Sequence, residues 1–536
     1  MDFSIKKDRV FQLLMILAFN IVFFSLSAYF LPANFEENDD VAMCLIASGA
    51  YTGVPEPRLV FIHYFYGLVL TFFYKAFREV EWYTLSFCVI HVISLTIIVY
   101  SFLKLNKSKL IKSVSLILLY ALELTIIQSL QFTTTAAIAA FAGIILIFKR
   151  KRFYDVCGII LFFIGTFIRF DSAMLVMLLM LPFYVYKVFP DVKKNIKLII
   201  PVAVCILGAF LLQVFDKQAY NVENWSYYRD YNEERGFILG NSGRVSIIND
   251  LPNDISQVDY YLFLYHFIDG KFFNLEKLKE IRGLIADISF SEKSKNILPF
   301  INNYRWILSL IIISAGLFFF FAKKRKRKLF ILFYLIYLFI IMLYITLDGR
   351  INQRVFMSIF FPVLYFLYYK VPIFSKKGLN ITYSFILILL SLLFIDNIYK
   401  IGRYRNYVKE TVIKEQGALL QSVKNKNITL LGFAADLQSE NLCGPFEISK
   451  YFRNFSLAGS GWTTNSPYNA GGFESYLSLV ERDIYLFIAS PNQFAIPLIQ
   501  ESLKNNYDCE TEVALAARTD NYLLVKFVRK EESDTI

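Results

Sequence analysis

Residues 34–51 read NFEENDDVAMCLIASGAY, and how this stretch sits between its neighbours decides the fold. It follows directly on an apolar run at 10–31 and places four carboxylates, Glu36, Glu37, Asp39 and Asp40, just past that run. It then becomes a small-residue, helix-like segment that ends in a Thr-Gly-Val-Pro-Glu-Pro loop. A run of about 20 apolar residues is long enough to cross a bilayer as a helix. No small-residue cleavage site follows it and acids do, so it reads as a retained first helix rather than a removed signal peptide.

Outside this stretch the chain is mostly apolar helix and basic loop. Of its 536 residues, 56% are hydrophobic and 18% aromatic, and the mean hydropathy is +0.47, whereas soluble domains are about 45–50% apolar. The apolar residues cluster into many runs. Backbone groups in lipid must be satisfied within their own segment, so the runs read as helices of a polytopic membrane bundle. The net charge of +12 does not imply a nucleic-acid partner, because the basic residues stand in short clusters between apolar runs and mark topology.

Lys6, Lys7 and Arg9 precede the first run and place the N-terminus in the cytoplasm and the acidic stretch outside. The segment 59–77 carries His63, many aromatics and Lys75. If it crossed the membrane, Lys104, Lys107, Lys109 and Lys112 would fall outside, so it reads as an amphipathic helix in the outer interface. Further spans are expected at 82–103, 113–130, 136–148, 154–168, 173–186, 198–215, 306–321, 329–347, 355–369 and 381–395, about eleven in all. The inner connections then hold KRKR at 149–152, Lys187, Lys193, Lys194, Lys197, KKRKRK at 323–328, Lys370, Lys376 and Lys377. The short outer turns hold Arg169, Arg350 and Arg354.

The expected organisation is a transmembrane module at 1–402 and an extracytoplasmic α/β domain at 403–536, in a multi-pass protein of the plasma membrane. Within the module, 31–81 is the first outer loop with the acidic pair and interfacial helix, and 216–304 is a long outer loop. A connection of that length is either functional or a small domain. In the C-terminal domain, strands are expected at 428–433, 484–489 and 521–527 and a helix at 495–504. Cys443 and Cys509 lie in this polar part, where a disulfide between them is one reading.

Asp39 and Asp40 are the candidate catalytic residues. Adjacent carboxylates raise one another's pKa, and one at a cavity mouth can take a proton from an attacking hydroxyl while the other orients it or shares a divalent metal ion. The competing reading is structural: Asn38 or Asp39 caps the helix that follows, and the acids suit its dipole. The same topology brings Arg169, Asp171, Asp348, Arg350 and Arg354 to the outer level. Arginine grips phosphate bidentately, although Arg169–Asp171 and Asp348–Arg350 can equally be local ion pairs. Glu37, Arg58 and His63 are further candidate binding residues around the first outer loop. His91 and Glu123 lie inside spans, where hydrogen bonding between helices is the simple account. His266 falls in the long outer loop. No HExxH, Walker or GxSxG motif is present.

A first span, an outer loop opening with Asn38-Asp39-Asp40, an interfacial helix before the second span, a long outer loop after the seventh and an outer C-terminal domain together resemble the GT-C superfamily of integral-membrane glycosyltransferases. The resemblance implies a sugar transferred from a polyprenyl-phosphate carrier to a hydroxyl of a cell-envelope glycan, lipid or protein, with inversion. Asp39 or Asp40 would supply the general base, and Arg169, Arg350 or Arg354 would hold the phosphate among membrane lipids. No Trp-Trp-Asp signature of oligosaccharyltransferases stands in the C-terminal domain. A polysaccharide or lipid transporter or flippase, and a glycan polymerase or ligase using a diphosphate-linked donor, are the alternatives.

Overall fold

A computed structural model describes the chain except residues 1–2, 32, 106–107, 190, 194, 242–250, 286–289, 370–376, 424–427, 435, 470–471 and 531–536. It is mainly helical. In chain order the first part comprises α1 (Phe3–Phe30), β1 (Asn34–Phe35), α2 (Asn38–Ser48), α3 (Tyr64–Ala76), α4 (Trp82–Leu103), α5 (Lys109–Gln128), β2 (Ser129–Leu130), α6 (Phe132–Ile147), α7 (Arg152–Ile168), α8 (Phe170–Val188) and α9 (Ile196–Ala219). The long loop holds α10 (Glu223–Asn241), α11 (Gln257–Leu264), α12 (Leu275–Leu284) and α13 (Phe290–Ser294). After it come α14 (Ile297–Phe321), α15 (Arg325–Leu347), α16 (Gln353–Tyr369) and α17 (Lys377–Val408).

Among the described residues, eight helices are long and apolar enough to cross a membrane: α1, α4, α5, α8, α9, α14, α15 and α17. The spans expected at 136–148, 154–168 and 355–369 fall on the shorter helices α6, α7 and α16. Phe11, Leu14, Phe19 and Val22 of α1 and Leu207, Phe210 and Leu211 of α9 are exposed, a surface suited to lipid rather than water. The helix expected at 59–77 is shorter than expected, Tyr64–Ala76. At 13 residues it reaches about 20 Å, well short of a bilayer.

Small residues set the closest helix contact. A methyl group on Gly143 of α6 would lie 2.5 Å from the Gly158 carbonyl of α7, and one on Gly165 would lie 2.6 Å from the Ala136 carbonyl. Glycine here permits backbone-to-backbone approach, the usual means of association where lipid supplies no hydrophobic drive. Helix α6 is buried along its whole length. His91 of α4 joins it through Nε2 to Thr135 Oγ1 (3.0 Å) and joins α5 through Nδ1 to Glu123 Oε1 (2.6 Å). Hydrogen bonding between helices thus accounts for His91 and for Oε1 of Glu123, whose Oε2 is buried without a partner among the described residues.

The two ends of the bundle differ. At one end, basic connections predominate: Lys104 Nζ donates to Gln12 Oε1 (2.6 Å), and Arg150 Nη1 to Asn195 Oδ1 (2.6 Å). Lys107, Lys194, Lys370 and Lys376, assigned to this end by the sequence, lie outside the described residues. At the other end, β1 pairs in parallel with β2, which seats the acidic loop on the α5–α6 turn. The C-terminal domain covers that end with a sheet of β3 (Thr429–Gly432), β4 (Ser456–Ala458), β5 (Ile484–Ala489), β6 (Thr511–Arg518) and β7 (Tyr522–Arg529). Their order is β4-β3-β5-β7-β6, with β3 parallel to β4 and β5 and with β7 antiparallel to β5 and β6.

The three expected strands and the helix (Ala495–Tyr507) are present. Strand β4 is too short to show a pattern, and alanine-rich β6 has no apolar alternation. Cys443 and Cys509 are both free. Helix α17 runs through the 402/403 boundary without a break. The long loop packs on the domain rather than standing apart: Asp269 Oδ2 accepts from Tyr476 N (2.8 Å) and Tyr507 Oη (2.7 Å), and Asp259 Oδ1 accepts from Asn506 Nδ2 (2.9 Å).

Candidate functional site

Helix α2 places the acidic pair. Its N-cap is Glu37, in extended conformation and with no side-chain capping bond, so neither Asn38 nor Asp39 caps it. Asp39 and Asp40 stand in the first turn, where the helix dipole favours negative charge. Gly49 ends the helix at φ 72°. A side chain there would meet the Val54 backbone at 2.5 Å, so glycine is required by both conformation and space.

One helical step separates the two aspartates by about 100°, and their surroundings differ completely. Asp40 is fully buried. Its Oδ1 accepts from Tyr83 Oη of α4 (2.8 Å) and from Phe132 N of α6 (3.2 Å). Burial pushes its pKa well above the usual carboxylate range, and through Oδ1 it ties α2 to α4 and α6. Asp39 instead lines a cavity of about 660 Å³ between the first outer loop, the long loop and the C-terminal domain. Burial raises its pKa too, with the Glu37 charge adding, while Arg354, the Trp462 side chain and Arg235 act against the rise.

The cavity draws on distant parts of the chain. Besides Asp39, its polar lining includes Glu37 and Tyr51 from the first loop, Arg235 and His266 from the long loop, and Ser439, Ser460 and Thr463 from the C-terminal domain. Aromatic walls come from Phe61 and Trp462, whose rings meet edge to face at 5.2 Å. Arg354 pairs with Glu37. Arg169 packs its guanidinium 5.5 Å from the Phe132 ring centre and 5.9 Å from that of Phe61, and does not line the cavity. It also pairs with Asp171 (3.3 Å). Glu36, also in this loop, is pushed up to about 7 by burial, against the pull of Arg354.

The remaining sequence candidates have structural places. Arg350 is mostly exposed and pairs with Asp348 at 2.7 Å. Arg58 pairs with Glu56 (3.0 Å), donates to the Ala219 carbonyl (3.1 Å) and packs over Trp225. His63 caps α3 by accepting from Phe65 N (3.1 Å), and its Nε2 meets the Leu212 carbonyl (2.9 Å). These residues and Asp171 do not line the cavity. Among the described residues, no group of three or more His, Cys, Asp or Glu is arranged to hold a metal ion. Sequence reading missed Arg235, Trp462 and the role of the C-terminal domain. Arg235 lies in a charged helix indistinguishable by pattern from a solvated one, and Trp462 looks like any turn aromatic beside glycines.

The fold and this site define a mainly helical protein with eight helices, among the described residues, long and apolar enough to cross a membrane, one end roofed by an α/β domain, with a polar cavity at the seam. No protein-family model, curated protein or solved structure matches the chain.

Proposed function

We propose that the chain is a membrane glycosyltransferase of the GT-C kind, moving a sugar from a polyprenyl-phosphate carrier to a hydroxyl acceptor at the outer face. The observation that carries this reading is Asp39, a half-buried carboxylate lining a cavity of about 660 Å³, set within the field of Arg354 and Arg235. In the reaction, Asp39 takes the proton of the acceptor hydroxyl as its oxygen bonds to the anomeric carbon. The bond from that carbon to the phosphate oxygen breaks, and the lipid phosphate leaves with the electron pair, inverting the centre. Arg354 and Arg169 lie outside the cavity's lining but within electrostatic reach of Asp39, and they stabilise the growing negative charge through space, where preorganised cations help most. A base whose pKa is raised toward the working pH is suited to this step.

The basic connections at the opposite end would lie in the cytoplasm by the positive-inside rule, which sets the cavity on the extracytoplasmic side. The apolar, exposed side chains of α3, Phe65, Val69 and Phe72, fit a helix lying in the outer interface. The test is transfer from defined polyprenyl-phosphate sugars in proteoliposomes, comparing the native chain with Asp39→Asn. Loss of product with the fold retained supports the reading; undiminished transfer by the variant removes the proposed base and the mechanism with it. Substrate flipping without a covalent product supports a transporter instead.

A further inference from the structure

Arg235 stands out among the charged groups of the outer layer. It is only 7% exposed, yet its guanidinium bonds one neutral acceptor: Nε and Nη2 both donate to Asn232 Oδ1, at 3.0 and 2.9 Å, within the same helix. Among the described residues no carboxylate is ion-paired with it, and Asp39 acts on it only through space. The side chain lines the 660 Å³ cavity. A buried guanidinium with no counter-charge is strongly unfavourable, and a fold retains one where a ligand completes it. Four other arginines at this end are matched: Arg58 with Glu56, Arg169 with Asp171, Arg354 with Glu37 and Arg350 with Asp348.

His266 lines the cavity near it and is kept neutral by burial and by the Arg235 charge. Its backbone is held at φ 60°, a left-handed conformation rare for residues other than glycine. The Ser460 hydroxyl donates to its carbonyl at 2.8 Å and locks it. The effect is a fixed wall with one cation and one neutral imidazole.

We propose that Arg235 is an anion anchor, and that one substrate entering the cavity carries a phosphate or carboxylate group that pairs with it. On the transferase reading, the donor phosphate belongs with Arg354 and Arg169 on the bundle side. The anion at Arg235, which comes from the outer layer, is then on the acceptor, making the acceptor an acidic glycan or phosphorylated envelope polymer. That assignment rests on the transferase reading; the anchor itself does not.

The test uses the full chain in nanodiscs. Trp462 lines the same cavity and reports occupancy by its fluorescence. Inorganic phosphate, glucuronate and glucose are titrated at constant ionic strength. Saturable binding of phosphate or of glucuronate, but not glucose, is expected, with at least a tenfold loss in Arg235→Gln and an intermediate loss in Arg235→Lys. Phosphate binding alone marks a phosphorylated substrate, and glucuronate binding a carboxylated one. Melting of the ligand-free protein is the second measurement. Arg235→Gln is expected to melt no lower than the native chain, since it removes an uncompensated buried charge. Failure of both anions to bind, equal binding by Arg235→Gln, or a lower ligand-free melting point in that variant overturns the anchor. Asp39→Asn separates the two ideas. If it still transfers sugar while anion binding depends on Arg235, the transferase mechanism falls and the anchor stands.

Discussion

Two polar clusters hang from the same seam between bundle and C-terminal domain, and they are built on opposite rules. At Glu81 every acceptor is used: Oε1 takes Cys44 Sγ (3.0 Å), Ser449 Oγ (3.0 Å) and the Tyr74 hydroxyl, and Oε2 takes Ser449 N (2.9 Å). A few residues away, the cavity holds Asp39 half-buried and Arg235 buried with no carboxylate paired to it among the described residues. The first cluster fastens the domain to α2, α3 and α4. The second leaves charge waiting in a space large enough for a ligand. Polar groups that satisfy one another hold the seam together, whereas those that do not are the candidates for binding and chemistry.

The largest expected effect sits in the cavity. Asp39→Asn should lower the transfer rate by about 100-fold or more, the scale of a lost general base, while leaving the melting temperature near native. In the native chain the rate should rise with pH through the Asp39 pKa, which burial holds above the ordinary value of 3.8, because the carboxylate is the active form. A rate that stays flat across that range would leave Asp39 without the role.

Glu81→Ala should do the reverse. It orphans buried donors on Tyr74 and Ser449, costing about 3 kcal/mol of stability, measured as thermal or denaturant unfolding in detergent. If the unfolding curve does not move, the seam is held elsewhere and the contrast fails.

The pair Asp39 and Asp40 sharpens the same contrast within two residues. Asp40→Ala should lose about 2 kcal/mol by stripping Tyr83 Oη and Phe132 N of their partner. Asp40→Asn, close in shape to the neutral acid, should lose less than about 1 kcal/mol and keep most transfer activity. A dead but fully stable Asp40→Asn would move the chemistry to Asp40.

The smallest effect belongs to Glu36. Its folded pKa of about 7 exceeds the ordinary 4.5, so its contribution to stability is present below 4.5 and is lost as pH rises through about 7. Glu36→Gln should therefore match the native chain near pH 4.5 and exceed it at pH 8, on the order of 1 kcal/mol after allowance for partial exposure. Identical pH dependence in both proteins would contradict this.

Much of the membrane part was legible in the chain itself. Apolar runs and basic clusters need no tertiary information, since span length and backbone hydrogen bonding are local requirements. Each expected span coincides with a helix, and His91 and Glu123 meet as buried polar groups inside a span should. The site was legible in part. The acidic loop was visible as charge beside an apolar run, but the division of labour between Asp39 and Asp40 was not, because it depends on which helices flank α2. The ion pairs of Arg169 and Arg350 are local, and the sequence raised them as an alternative to binding. Arg354 differs: its partner Glu37 is more than 300 positions away.

The sequence by itself determined a helical membrane bundle with an acidic loop after its first helix and a small α/β domain at its end, because hydropathy and charge act over one or two turns of chain. Only the tertiary structure decided which carboxylate faces open space, that Arg235 is buried with no carboxylate paired to it among the described residues, and that the C-terminal domain walls the cavity. Those facts depend on groups hundreds of residues apart being desolvated together, and no local pattern records that.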